Sequence, residues 1–236
     1  MKIVKTLLFA LVATSLFSCK DDDDNDIKPV VKNKTFEYTF AKGDDGWVGD
    51  YADYEAAKEK SYTLSTKHMP LPAPLKQTDK GLRQVGKNLN KDLFMFVKKK
   101  VTGLLPKQEY KVMFDIQIAS NAPVNAESKM GRPAEHVYIK AGASTTEPKK
   151  AEDNKKIFRL NLDKGNHHKP GKMILMGNFA NGTKLSKYAL RQLKTYRFVT
   201  VKANDKGEAW LIVGTDSKYG GTTSIYYNKI KATFKK

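Results

Sequence analysis

The stretch from Phe96 to Ser120 reads FVKKKVTGLLPKQEYKVMFDIQIAS and carries the clearest fold signal in the chain. In its second half, apolar residues alternate with polar ones, which places four apolar side chains on one face of an extended strand. These four are Val112, Phe114, Ile116 and Ile118. Before them, Gly103 allows the chain to bend and Pro106 fixes φ in a turn. The stretch therefore predicts two strands joined by a short turn, with one face of the second strand buried.

The same period-two pattern recurs from Thr35 to the end of the chain, interrupted by Gly, Pro, Asn and Asp. It predicts roughly ten short strands, which is typical of an antiparallel β-sandwich or barrel. The segment KLSKYALRQLKTY (184–196) is compatible with one helical turn or with an edge strand. Since neither an internal repeat nor a second change of composition is visible, residues 35–236 are predicted to form one all-β domain.

Three passages carry a resemblance to known jelly-roll domains. Phe96–Ser120 resembles the core of the carbohydrate-binding-module and galactose-binding-like class, in which a Gly-Leu and proline turn precedes a strand that begins at a tyrosine, here Tyr110. FEYTFAKGDDGWVGDYADY (36–54) is similar to their opening strand and loop, and IYYNKIKATF (225–234) to their closing strand. The resemblance implies a jelly-roll antiparallel β-sandwich, and residues 35–236 as a whole resemble a family of secreted bacterial proteins with that fold.

The first eighteen residues have the pattern of an export signal. Lys2 and Lys5 precede an apolar stretch from Thr6 to Phe17, which is shorter than the ~20 residues that span a bilayer and fits a signal peptide. Leu16-Phe17-Ser18-Cys19 resembles a bacterial lipobox, which implies cleavage before Cys19 and attachment of acyl chains such as palmitate. Cleavage elsewhere, which would leave a free thiol, and an uncleaved membrane anchor remain alternatives.

The residues after the cysteine, 19–34, contain an aspartate run and almost no apolar side chains. Such a segment cannot bury enough surface to fold, so we expect a disordered tether. Continuous aspartates repel one another and lack the spacing and the glycine of a calcium loop. Lys20–Asp24 resembles the export signal of Bacteroidota-type lipoproteins, which implies an outer-membrane anchor with the domain on the cell surface.

Charge and cysteine usage limit the function classes. Loss of the two leader lysines lowers the formal charge from +18 to +16, and the tether carries −1, so the domain is close to +17. A basic surface attracts anionic partners such as acidic polysaccharide, lipopolysaccharide phosphates or nucleic acid, of which an exported protein least favours nucleic acid. A lysine-rich solvated surface is the alternative. With Cys19 as the only cysteine, an intramolecular disulfide and a CxxC redox site are excluded.

The loop GDDGWVGDYADY (43–54) offers two candidate sites. Its carboxylates Asp44, Asp45 and Asp50 suit a structural Ca²⁺, although aspartates in such loops also cap turns. Tyr51 and Tyr54 could form a flat platform for a sugar ring, although aromatic side chains are more often buried.

The fragment YIKAG (138–142) resembles a strand of jelly-roll alginate lyases, which neutralise a uronate carboxylate and abstract a proton. The other lyase motifs, an arginine-rich strand and a Gln-Ile/Val-His strand, are absent from the chain. A lyase that acts on uronate polymers is therefore an alternative hypothesis rather than the leading one.

The sequence favours a non-catalytic, lipid-anchored envelope protein with a β-sandwich domain that binds a ligand. Carbohydrate is the predicted ligand class, and an acidic glycan is one candidate within it. The predicted ligand-binding residues are Tyr51, Tyr54, Lys140, Asn166 and Asp216. Loops at one end of a sandwich, or its concave sheet face, are where we expect them to lie. A structural envelope lipoprotein without a small ligand is the second alternative.

Overall fold

A computed structural model of the chain describes residues 33–166 and 171–236. The leader, Cys19 and nearly all of the predicted tether lie outside these residues, so lipidation and the tether stay predictions. Within the described ranges, no helix is both long and apolar enough to cross a membrane.

The described chain forms fifteen strands and one 3-10 helix. In chain order they are β1 (Lys34–Tyr38), β2 (Val48–Ala52), β3 (Tyr54–Glu55), the 3-10 helix (Ala56–Tyr62), β4 (Ser65–Pro70), β5 (Lys80–Lys87), β6 (Phe94–Val101), β7 (Glu109–Ser120), β8 (Val137–Ser144), β9 (Lys150–Glu152), β10 (Ile157–Leu160), β11 (Met173–Asn178), β12 (Ala189–Lys194), β13 (Val199–Lys202), β14 (Ala209–Ser217) and β15 (Thr222–Lys235).

The strands form two main sheets and one small sheet, and every strand pairing within these sheets is antiparallel. The larger sheet has the order β12-β7-β15-β5-β4, with β1 also paired to β15 and β13 to β7. The smaller sheet has the order β11-β8-β14-β6-β2, and the small sheet has the order β3-β10-β9. The protein is therefore an antiparallel β-sandwich of the jelly-roll type, as the sequence predicts.

The core lies between the two main sheets and is built by the alternation seen in the sequence. Val112, Phe114, Ile116 and Ile118 of β7 are all buried in it, at 2% exposure or less. They pack with the inward side chains of β14 and β15, such as Val213 and Ile230. The period of two therefore selects the buried face of each long strand.

The turn between β6 and β7 also forms as predicted. Gly103 adopts a φ of +77°, which a residue with a Cβ rarely tolerates. The ring of Tyr110 is buried, and its hydroxyl accepts a hydrogen bond from the backbone N–H of Leu105 at 2.9 Å. That hydroxyl is therefore directed at the turn backbone rather than outward, and it fastens the turn to the start of β7.

The segment with two open interpretations is an edge strand. β12 pairs only with β7, and Leu193 is its buried residue. The described residues form more strands than the roughly ten expected from alternation, in part because β3 and β9, with two and three residues, are too short to show a period. These two strands pair with β10 in the small sheet.

Candidate functional site

The outer face of the smaller sheet, which faces away from the core, is covered by the protein's own chain. Phe94, Phe96 and Ile212 lie on this face and are fully buried, with Leu160 of β10 packed against them. We call residues 147–166 the cover segment. At its start, the ammonium group of Lys98 donates to the carbonyl of Pro148 at 2.7 Å. The concave-face location expected for a ligand is therefore not open on this sheet.

Lys140 and Asp216, which the sequence analysis selected, form an ion pair beneath the cover segment. They lie on the adjacent strands β8 and β14, and Nζ of Lys140 is 2.9 Å from Oδ2 of Asp216. The same ammonium group donates to the carbonyls of Lys164 and Gly165, at 3.1 and 2.9 Å. Asn166 is exposed and follows Gly165 directly. Three of the five predicted ligand-binding residues are thus brought to one place.

The pair belongs to a larger network that we call the ion network. Lys164 bridges two carboxylates, with Nζ 3.0 Å from Asp216 and 2.5 Å from Asp53. Arg159 then joins Asp53 to Asp92, at 3.3 and 3.2 Å. Lys218 completes the network through Asp92 at 3.1 Å. Two residues of the cover segment, Lys164 and Arg159, are therefore tied by charge to β14 and to the loops beside it.

The electrostatics of the network favour the ionised forms of Asp216 and Lys164. Burial opposes ionisation of the Asp216 carboxyl, but the ammonium groups of Lys164 and Lys140 hold its pKa below the ordinary value. Burial likewise opposes the charge of Lys164, but Asp216 and Asp53 raise its pKa above the ordinary value. The network is a closed set of partners, which stabilises the cover segment on the sheet.

This arrangement does not fit the lyase hypothesis. Lys140 is 1% exposed and Asp216 is 4% exposed, and the charges of both are compensated by their ion pair within the protein. A lysine that neutralises a uronate carboxylate has to reach the substrate. The geometry therefore assigns Lys140 and Asp216 to holding the cover segment and offers no contact with a ligand.

The two tyrosines predicted as a sugar platform are buried. Tyr51 is 9% exposed, and its hydroxyl is 2.7 Å from the Thr66 hydroxyl. Tyr54 is fully buried, and its hydroxyl donates to Glu59 and accepts from Lys150, each at 2.7 Å. Burial raises the pKa of both phenols. Neither ring has an exposed face on which a sugar could stack. Both tyrosines therefore fit the alternative, in which the aromatic rings pack in the core.

The three aspartates predicted to hold calcium do not converge. Asp44 accepts from the backbone N–H of Gly46 at 2.8 Å, and Asp45 from that of Phe40 at 3.2 Å. Asp50 accepts from the N–H of Tyr51 at 2.8 Å. Over residues 33–166 and 171–236, no group of three or more His, Cys, Asp or Glu side chains could hold a metal ion. These carboxylates therefore fit the turn-capping alternative and do not fit a shared calcium site.

A different polar surface lies on the outer face of the larger sheet, which the cover segment leaves open. Asn228 of β15 donates to Oε1 of Gln117 on β7 at 2.5 Å. Gln117 donates to Oε1 of Gln192 on β12 at 3.3 Å, and Gln192 donates to Asp115. We call these four residues the amide row. It crosses three neighbouring strands, so it presents oriented donors and acceptors on an extended surface.

A bulge in β15 brings Asn228 into this row. The pairing with β7 passes from Tyr227 opposite Ile118 to Lys229 opposite Gln117, so Asn228 is the extra residue. Tyr227 and Ile230 both point into the core. Strict alternation would place only one outward residue between two inward ones, and the bulge places two there. Asn228 and Lys229 therefore both lie on the outer side.

Two shallow clefts border the amide row. One, of about 260 Å³, is lined by Thr39, Ala41, Thr78, Asp79, Lys80, Gln117, Asn228 and Lys229. The other, of about 390 Å³, is lined by Met113, Phe114, Asp115, Lys194, Thr195, Tyr196, Lys231, Thr233 and Lys235. We call them the near cleft and the far cleft, respectively. Tyr196 is 90% exposed at the side of the far cleft, in the short segment that separates β12 from β13.

The residues of the amide row and Tyr196 are not among the binding residues predicted from the sequence. Gln117 and Gln192 lie at outward positions of alternating strands, where a polar residue is expected to be merely solvated. The bulge does leave a trace in the sequence, because the apolar spacing changes from two to three between Tyr227 and Ile230. That trace predicts an irregular strand, but it does not reveal which side chains meet there.

Comparison with known proteins gives a fold likeness only. No protein-family model and no curated protein sequence matches the chain. A family 11 carbohydrate-binding module of a Clostridium thermocellum cellulosomal cellulase is 12% identical, with a TM-score of 0.38 over 86% of this chain and 94% of the module. A carbohydrate-binding module described for specific mannan recognition is 11% identical, with a TM-score of 0.39 over 87% and 99%.

A third similar structure is the K3 cleaved adhesin domain of Lys-gingipain from Porphyromonas gingivalis W83. It is 8% identical, with a TM-score of 0.39 over 86% of this chain and 99% of that domain. These identities and TM-scores are too low to transfer a ligand or an activity to this chain.

Proposed function

We propose that the protein is a lipid-anchored envelope protein that binds carbohydrate, and an acidic glycan in particular, on the outer face of the larger sheet. The observation that carries the binding proposal is the amide row, which lies between two clefts on an uncovered sheet face. The three amide side chains of the row do not ionise at ordinary pH, so they suit recognition rather than acid–base catalysis.

The chemistry of the row matches sugar hydroxyl groups. Each amide has two N–H donors and a carbonyl acceptor with two lone pairs, and the bonds within the row use only part of this capacity. The same bonds fix the orientation of the amides before a ligand arrives, which lowers the entropic cost of binding. The pre-oriented amides can therefore contact neighbouring hydroxyl groups of one glycan molecule.

The side chains around the row supply stacking and charge. The ring of Tyr196 is exposed beside the far cleft, where a flat apolar surface suits the C–H face of a pyranose. Lys194, Lys231 and Lys235 line the same cleft against one carboxylate, Asp115. This excess of positive charge favours a glycan that carries carboxylate or sulfate groups.

Replacement of Gln117 and Gln192 together by alanine is expected to weaken glycan binding at least roughly tenfold, because two oriented hydrogen-bonding groups are lost. The measurement is electrophoretic retardation in gels that contain alginate, polygalacturonate, chondroitin sulfate or neutral galactan. Gln108→Ala is the matched control, since the Gln108 side chain lies outside the row and donates to the adjacent Glu109 carbonyl. Equal retardation of the double variant and the wild type, or retardation by none of the four polymers, would overturn the proposal.

The anchor proposal rests on the sequence of the leader and on Cys19, and it is tested separately. Labelled palmitate fed to expressing cells is expected to enter the wild type and not Cys19→Ala, because the thiol is the attachment point in a lipobox protein. The wild type is also expected to sediment with the outer-membrane fraction. Lipobox proteins carry more than one acyl chain on the cysteine, and more than one chain gives stable membrane anchoring. Incorporation into both proteins would refute the assignment.

A further inference from the structure

We infer that the ligand is a linear, negatively charged polymer that lies lengthwise along β7 and β15 and occupies both clefts at once. This rests on the proposed carbohydrate-binding function and adds the orientation, the minimum length and the charge of the ligand.

The register of β7 and β15 sets the direction and the span. Lys229 lies opposite Gln117 at the near cleft, and Lys235 lies opposite Lys111 at the far cleft. The six residue steps between Lys229 and Lys235 correspond to roughly 20 Å of extended strand. A monosaccharide or a disaccharide cannot span the distance from Lys229 to Lys235, whereas a chain of several linked sugars can.

Outward side chains form two continuous lines over that span. On β15 the outward residues after the bulge are Lys229, Lys231, Thr233 and Lys235, and β7 presents Gln117, Asp115 and Met113 beside them. Because side chains point to one face at every second residue, each line is regularly spaced along the strand direction. A polymer that follows the strands meets a polar or charged group at each step.

We call the two lines of outward side chains on β7 and β15 the track. Each end of the track has a lysine that makes no ion pair with a described residue. Lys229 and Lys231 share Glu37, at 3.4 and 3.3 Å, so their charges are partly compensated. Lys80 at the near cleft and Lys235 at the far cleft make no ion pair with any described residue. An anionic group at each end would therefore gain a partner without breaking an existing pair, and a single small anion could satisfy only one end.

The carboxylate of Asp115 does not prevent an anionic polymer from lying along β7 and β15. Asp115 lies between the two ends of the track, and Gln192 donates a hydrogen bond to it. The Asp115 carboxylate thereby already has an oriented donor, and three lysines line the same cleft. The net field along the track attracts polyanions, and its range is set by the salt concentration.

The test is a length series with purified oligosaccharides of alginate and of chondroitin sulfate, and calorimetry as the readout. A chain that begins at Lys20 is suitable, because every strand of both main sheets lies within residues 34–235. The octasaccharide of at least one series is expected to bind at least tenfold more tightly than the disaccharide. Its affinity is also expected to fall as salt is raised, whereas a neutral galactan octasaccharide binds at least tenfold more weakly.

Two single variants locate the ends of the ligand. Lys80→Gln and Lys235→Gln are each expected to weaken octasaccharide binding several-fold. Each disaccharide is expected to lose affinity in at most one of the two variants, because it occupies one cleft. Lys184→Gln, an exposed lysine in the loop before β12, is the matched control and is expected to bind as the wild type does.

The outcomes separate this inference from the proposed function. Equal affinity of disaccharide and octasaccharide would overturn the lengthwise arrangement and leave carbohydrate binding in place. Equal binding of neutral and anionic octasaccharides would overturn the charge requirement. Failure of every oligosaccharide, together with failure of the gel test, would overturn the proposed function itself.

Discussion

Replacement of Asp216 by alanine is expected to destabilise the folded protein by about 3–5 kcal/mol, the range found when one partner of a buried ion pair is removed. Asp216 is 4% exposed and accepts from both Lys140 and Lys164. Without it, the Lys140 ammonium group remains buried with only carbonyl partners. Urea unfolding followed by tryptophan fluorescence measures the change in the free energy of unfolding.

The control for this prediction is Lys218→Ala, in the same network. The Lys218 side chain is 48% exposed and bonds to Asp92, which is itself 36% exposed. Solvent screens such a pair, so its loss is expected to cost less than about 1 kcal/mol. If Asp216→Ala is no more destabilising than Lys218→Ala, the buried part of the ion network does not stabilise the cover segment.

The same network predicts a pH dependence. The pKa of Asp216 is lowered in the folded state, so its stabilising contribution is present above the unfolded-state pKa, near 3.8. That contribution is lost as the pH falls below this value through the folded-state pKa. The free energy of unfolding of Asp216→Asn is therefore expected to fall less steeply below about pH 4 than that of the wild type. Parallel acid profiles for the two proteins would contradict the expectation.

Replacement of Phe96 by alanine is expected to cost about 3–5 kcal/mol of stability, as for other fully buried phenylalanines. Its ring is fully buried and stacks on Phe94 with centroids 5.4 Å apart. Leu160 of the cover segment packs on the same cluster, so a cavity would open directly beneath it. Exchange of backbone amide hydrogens in β10 is therefore expected to become faster along with the global loss of stability.

Phe198→Ala is the matched control for the same deletion at a surface position. Phe198 is 46% exposed, so its removal is expected to change the free energy of unfolding by less than about 1 kcal/mol. Unchanged hydrogen exchange in β10 of Phe96→Ala would show that the ion network holds the cover segment in place, and that the buried apolar side chains beneath it, such as Phe96, do not contribute.

The buried face of each long strand could be predicted from the sequence, because alternation is a local property. Val112, Phe114 and Ile116 are inward on β7 for the reason that their spacing indicates. The glycine turn at Gly103 was equally readable, since a positive φ has few other occupants. The burial of Tyr51 and Tyr54 could not be predicted from the sequence, because it depends on contacts with residues elsewhere in the chain. Tyr51 contacts Thr66, and Tyr54 contacts Glu59 and Lys150.

The candidate sites show the same division. Lys140 and Asp216 were selected singly, but their ion pair follows from the register of β8 and β14. The partners in the amide row are 75 and 111 residues apart in the chain. No local pattern specifies which outward residue of one strand faces which outward residue of another.

The all-β class, the inward and outward residues of the long strands and the basic charge of the domain can be read from the amino-acid sequence, because they depend on composition and on neighbours in the chain. The closure of one sheet face by the cover segment and the amide row between two clefts on the opposite face become visible only in the folded protein. Both depend on strand register and on the extra residue at Asn228, which long-range pairing and packing fix.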